Sequence, residues 1–289
     1  MKHFHISAAA IAAVLLSLPL SAQIPFASAG SVYSQDFDSL AASGTGNAWV
    51  NDTTLPGWSL FRVTSNSDPT PAAITTYNAG TGSLNSGAFY SYGSSGSGER
   101  ALGGLGSGAS YFGGGSTSGT SLPNGAVAGW IALALENATG QTIGGFTVHF
   151  DGEQWRDGGA ATPATQTMGF EYGFGSTMVA VPEWFQPGAG FDFVSPVAAN
   201  AGSGTAVDGN GVGLVPALGG VVGSVNWAAG ETLWLRWVER NDAGSDHGLA
   251  VDNLTFAAVP EPSEYATAAA VMLALTWVCR RRQGSGKRR

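Results

Sequence analysis

The sequence predicts an all-β protein: a two-layer antiparallel β-sandwich, jelly-roll-like, over residues 30–258, with a helix at each end of the chain. Three observations carry this. Glycine supplies 44 of 289 residues and only 11% are charged, a composition suited to short strands joined by tight turns. Period-two alternation recurs: in "GGFTVHF" Phe146, Val148 and Phe150 point one way with Thr147 and His149 the other, and in "TMGFEYGF" Met168, Phe170, Tyr172 and Phe174 share a face. No helix-period segment of useful length interrupts the body.

The first segment, "MKHFHISAAAIAAVLLSLPLSAQIPFASAG", sets Lys2 before an apolar stretch from Ile6 to Leu20 and ends in small residues. It reads as a secretory signal peptide, residues 1–29, helical while it lasts. Ala27-Ser28-Ala29 fits the A-x-A pattern and places cleavage after Ala29; Ala22, closer to the apolar core, is the alternative exit. The single cysteine, Cys279, lies far outside the body, so an exported domain must rest on its apolar core rather than on a disulfide.

Within the body, "WIALAL" and "TLWLRWV" are apolar on both faces, as central strands covered on each side would be. In "GLAVDNLTF" Leu249 and Val251 are odd-numbered whereas Leu254 and Phe256 are even, so a β-bulge at Asp252-Asn253 is needed to keep one core face. The glycine- and serine-rich stretch from Gly93 to Ser121 resembles a linker, but "RALGGL" and "ASYF" inside it read as short edge strands, which keeps the body one domain.

All but two of the 20 acidic residues lie between Gly30 and Ala258, against five arginines and no lysine, a net charge of about −13. Such a surface repels phosphate backbones, so nucleic acid is not expected as a partner; divalent cations and neutral sugars are compatible with it. Calcium is the one cofactor for which the sequence offers candidate ligands, since it takes six to eight oxygens and closely spaced carboxylates supply them. Asp151, Glu153 and Asp157 form one group; Asp242, Asp246 and Asp252 form the other. The competing reading of the first is an ion pair of Glu153 with Arg156 beside a buried Trp155. For the second it is a solvated polar turn over Asp242–Gly248, where Asp, Asn and Gly meet backbone demands without a ligand.

Sugar stacking is the other binding chemistry on offer, because an indole face covers a sugar ring while Asn and Asp bond its hydroxyls. Trp49, Trp58 and Trp184 lie beside turn residues and are the candidates. Catalysis is not expected: His149 and His247 with the many serines leave a secreted hydrolase as a distant alternative, but no G-x-S-x-G elbow and no H-E-x-x-H occurs.

The chain closes on Val259-Pro260-Glu261-Pro262, an apolar run from Ala266 to Cys279, and Arg280, Arg281 and Arg282. As a helix the run would cover about 21 Å, short of the roughly 30 Å bilayer core, and the arginines would hold its end on the cytoplasmic side. These parts, in this order, resemble the PEP-CTERM sorting tail of Gram-negative bacteria. The resemblance implies that residues 259–289 insert transiently in the inner membrane as a single transmembrane helix and are processed there by an exosortase. Export through the Sec translocon and delivery to the cell surface or extracellular matrix would follow. Thr267, Thr276, Trp277, Glu264 and the terminal "QGSGKRR" depart from that pattern.

The body carries a second resemblance. "LENATGQTIGGFTVHFDGEQWRDGG" and "LWLRWVERNDAGSDHGLAVDNLTF", with "FDSLA", "TLPGW", "ERALGGL" and "AVDGN" in order before or between them, are similar to an exported β-sandwich module of unassigned function. Together the two imply a structural or adhesive protein associated with exopolysaccharide or biofilm, with a carbohydrate-binding module as the alternative.

Overall fold

A computed structural model describes residues 23–28, 30–65, 68–106, 125–199, 202–242 and 244–259. Sixteen strands run in chain order: β1 Ile24–Phe26, β2 Val32–Gln35, β3 Asn47–Ala48, β4 Trp58–Ser65, β5 Asp68–Ala73, β6 Thr76–Gly80, β7 Ala88–Tyr92, β8 Ala101–Leu105, β9 Val127–Asn137, β10 Ile143–Asp157, β11 Thr167–Phe174, β12 Phe193–Val194, β13 Thr205–Ala206, β14 Leu214–Trp227, β15 Thr232–Arg240 and β16 Gly248–Val259. The only helices among the described residues are two single 3-10 turns, Met178–Ala180 and Ala189–Phe191.

The strands form two sheets. The first has the order β12-β11-β15-β9-β4-β5, with β1 added beside β9; the second has the order β13-β10-β16-β8-β7-β6-β3, with β14 beside β10 and β2 beside β16. Pairing is antiparallel except for β1 with β9 and β6 with β7. The core lies between the sheets. Phe150 of β10 meets Trp237 of β15 edge-on at 5.3 Å, Phe146 meets Tyr172 at 5.3 Å, and Trp58 stacks on Trp237 at 5.6 Å. Burying aromatic rings of this size supplies much of the driving force that a disulfide-free body needs.

Several expected elements take the expected form. Phe146, Val148 and Phe150 are buried while His149 faces solvent, and both faces of "WIALAL" are covered. The bulge falls where the parity change requires it. His149 pairs with Thr255 and Asp151 with Asp252, so Asn253 and Leu254 together oppose Phe150, and Asn253 adopts φ 50°.

Three expectations are corrected. "RALGGL" is not an edge: β8 pairs with β16 on one side and β7 on the other, and its five residues are buried. The polar turn between β15 and β16 is solvated only in part: Asp246 accepts the Asp242 N–H at 2.8 Å and Gly244 and Ser245 are exposed, but Asp246 and His247 are enclosed. The domain also begins before Gly30. Ile24–Phe26 pairs with Leu135–Asn137, and buried Phe26 packs edge-on to Phe256 at 5.5 Å. "ASYF", Ala22, Ala29 and everything from Pro260 onward, including the sorting motif and its arginines, lie outside the described residues.

Candidate functional site

Strand β10 alternates so that Asp151, Glu153 and Trp155 share the outer face of the second sheet, with Asp252 and Ala250 of β16 opposite Asp151 and Glu153. The bulge at Asn253 makes this possible. It lets Val251 and Leu254 both face the core while Asp252 turns outward, beneath a cover of loops. One cover is the Asp208–Gly213 loop, fixed by Val207 N–H to the Trp155 carbonyl (2.8 Å) and Gln154 N–H to the Gly213 carbonyl (2.9 Å). A Cβ at Gly209 would sit 2.3 Å from the Trp155 ring, so only glycine lets this loop close. The other cover is the turn before β8, which presents Glu99; Asp38 Oδ1 anchors it by accepting the Arg100 N–H at 2.9 Å.

Glu99, Glu153 and Asp252 thereby each bring a carboxylate oxygen within 4.8 Å of the other two. Glu153 Oε2 accepts the Trp155 indole N–H at 2.8 Å, and Glu99 Oε2 accepts the Asn210 amide. Asp252 Oδ1 and Glu99 Oε1 are buried and accept no hydrogen bond from any described group. The nearby cation is turned to other work: the Arg100 guanidinium bonds the main-chain carbonyls of Ser94, Ser97 and Glu99.

The electrostatics follow from burial and like charge. Burial pushes the Glu153 carboxyl up to about 7, opposed by the Trp155 hydrogen bond and reinforced by Glu99, Asp151 and Asp208. Burial likewise pushes Asp252 up to about 8, opposed by the Asn253 N–H and reinforced by Glu153, Glu99 and Asp38. Among the described residues, no Lys, Arg or His forms an ion pair with any of the three.

A second buried polar site lies at the far end of β10. His247 Nε2 is 3.4 Å from Asp157 Oδ1, and His247 Nδ1 is 3.1 Å from Ser195 Oγ. Ser195 Oγ accepts the Gln166 N–H at 2.9 Å; Gln154 Nε2, which can only donate, lies 3.2 Å from His247 Nδ1, so Nδ1 acts as acceptor and the neutral ring carries its proton on Nε2, toward the carboxylate. Asp157 also accepts N–H groups from Gly159 (3.0 Å) and Ala199 (2.9 Å), and Gln154 bonds Val197 in both directions, at 2.7 and 2.8 Å. Burial lowers the His247 pKa, with Asp157 pulling the other way.

The six carboxylates singled out from the sequence are therefore divided. Glu153 and Asp252 come together. Asp157 belongs to the histidine site; Asp246, pushed up to about 7 by burial, accepts the Asp242 N–H; Asp151 accepts Ala217 N–H and the Asn253 amide. The expected Glu153–Arg156 pair does not form, since Arg156 donates instead to the Gly82 and Ser83 carbonyls. Trp155 is buried as expected, but under the outer face, stacked 6.1 Å from Tyr92.

Sequence reasoning missed Glu99 because it lies 54 residues before Glu153, and only the pairing of β8 with β16 brings it near. The available signal was the motif "ERALGGL" itself.

The sugar-stacking set is also corrected. Trp49 and Trp58 are enclosed, bonding Asn51 Oδ1 (2.7 Å) and the Tyr33 hydroxyl (2.8 Å), so neither offers a face. Trp184 is half-buried, with the Arg236 guanidinium 3.6 Å from its ring centre. Glu171 pairs with that guanidinium and Gln186 bonds Glu171.

No family model matches the chain, and no curated protein is similar to it. Among the described residues no helix is long and apolar enough to cross a membrane.

Proposed function

We propose that the chain is an exported structural or adhesive protein of the cell surface or extracellular matrix. In this reading it is a jelly-roll-like sandwich, carried out by the Sec translocon and sorted by an exosortase through residues 259–289. One observation supports a structural role over a hydrolytic one. Ser195, His247 and Asp157 have the side chains of a catalytic triad, yet they are 1%, 3% and 2% exposed; Ser195 and Asp157 accept loop backbone N–H groups, and the His247 main-chain N–H donates to the Gln166 side chain. The set clips the loops 157–166, 195–199 and 245–248 onto β10. A substrate carbonyl would have to reach within about 3 Å of the serine oxygen, and these loops fill that space.

The buried position of Phe26 favours leader removal after Ala22 over Ala29, because the later cut would discard β1 from the first sheet. Intact mass of the protein recovered outside the cell tests the whole reading: the expected species begins at Gln23 and ends before Arg280. A form retaining Arg280–Arg289 would sink the sorting claim.

Carbohydrate binding, here to exopolysaccharide, is favoured only at Trp184, where an indole lies beside exposed Phe185 and Gln186. Saturable retention on the organism's own polysaccharide, lost in Trp184→Ala, would support it; equal retention of the variant would remove it.

A further inference from the structure

We propose that Glu99, Glu153 and Asp252 hold a divalent cation, calcium, which staples β10 and β16 to the turn before β8 on the outer face of the second sheet.

Three features carry this beyond a cluster of acids. The first is mutual distance: donor oxygens lying within 4.8 Å of one another fit the surface of a sphere whose radius is a calcium–oxygen bond, about 2.4 Å. The second is unmet bonding capacity. Asp252 is 2% exposed, and its Oδ1, like Glu99 Oε1, is buried and accepts nothing from the described protein, whereas buried carboxylate oxygens are ordinarily bonded. The third is that the remaining valences are already taken in a way that orients the free ones. Trp155 holds Glu153 Oε2 and Asn210 holds Glu99 Oε2, the outer-shell pattern that fixes metal ligands.

An all-oxygen, carboxylate-rich donor set selects a hard cation over zinc or copper. Calcium is favoured over magnesium because the ligands come from three separate chain segments. Such a set meets a wide, variable sphere more readily than a strict octahedron at about 2.1 Å. Asp38 and Asp208 lie at the rim, each already accepting a backbone N–H, from Arg100 and Asn210 respectively, and add negative potential without closing the partly exposed Glu99 side through which an ion would enter. The competing account is that the three carboxyls share protons and bind no metal.

The test uses the full chain, stripped with EGTA and titrated with calcium chloride by calorimetry and by thermal unfolding. Binding of one equivalent is expected, with a rise in Tm of about 5–10 °C at calcium a hundredfold above its Kd. Magnesium at the same concentration should give a smaller rise, and an equal one would overturn the calcium assignment. Asp252→Asn and Glu99→Gln should each weaken calcium at least tenfold. Both keep shape and remove like charge, so their metal-free Tm should match or exceed that of the wild type, which separates lost binding from lost folding. Terbium in place of calcium localises the ion: the Trp155 indole bonds a ligand, so excitation of tryptophan should give terbium emission that Trp155→Phe largely removes. No calcium heat in the wild type, or binding undiminished in the two carboxylate variants, would overturn the proposal.

Discussion

Strand β10 carries two buried polar sites four residues apart, at Glu153 and Asp157, and they are built on opposite principles. Around Asp157 every strong acceptor is matched: two backbone N–H groups and the His247 ring meet one carboxylate, and Gln154, Gln166 and Ser195 close the rest. Around Glu153 the acceptors outnumber the donors, and three carboxylates converge with oxygens to spare. A saturated network is complete as the chain folds it. An unsaturated one is costly alone, because buried like charges repel and their lone pairs go unmet, and it becomes favourable only with a positive guest.

The largest effect that would sharpen this contrast is at the saturated site. Asp157→Ala leaves the buried Gly159 N–H, the partly buried Ala199 N–H and the His247 N–H without that partner, and should cost about 3 kcal/mol by urea unfolding, calcium present or not. A loss that calcium reverses would mean the two sites are one, breaking the comparison.

The pH response should be intermediate in size and opposite in sign at the two sites. Glu153 and Asp252 have folded pKa values of about 7 and 8, above the unfolded values near 4. Their contribution is therefore fully present below pH 4 and lost as pH rises through 7 and 8. His247 is depressed below 6.5, so its contribution is present above 6.5 and lost as pH falls below that. Metal-free wild type should lose Tm between pH 6 and 8.5. Saturating calcium or the Glu153→Gln, Asp252→Asn pair should remove the share of these two carboxyls, leaving the part due to Glu239, Asp242 and Asp246, whose carboxyls burial also raises. An unchanged slope in the double variant would show that the carboxyl protons lie elsewhere.

The smallest effect is Ser195→Ala. The Gln166 N–H and His247 Nδ1 lose one partner, but Gln154 Nε2 still lies 3.2 Å from that nitrogen. A cost of about 1 kcal/mol is expected in the same unfolding assay, and a value near that of Asp157→Ala would make the serine an equal member of the network.

Much of the fold was legible because strand period and parity are local. The alternation in "GGFTVHF" and the shift across Asp252-Asn253 each translate directly into faces and a bulge. The site was half legible for the same reason: Asp151, Glu153 and Asp157 were seen as neighbours in sequence, but whether they act together depends on strand pairing. That pairing brought in Glu99 and Asp252 and sent Asp157 to a histidine. The tryptophans misled because turn residues beside Trp49 and Trp58 say nothing about Asn51 or Tyr33, whose oxygens let an indole be buried with its N–H satisfied.

The last described strand, β16, is not at a sheet edge. It runs between β10 on one side and β8 and β2 on the other, so the second sheet has a gap at its middle until the chain has been delivered through Val259. Folding must then be late and slow, governed by contacts distant in sequence. Until that moment the waiting strands expose open edges on both sides of the gap, when the chain is most at risk of pairing with its neighbours. The same closing step brings in Asp252, so an ion bound there would act as a latch on the final strand.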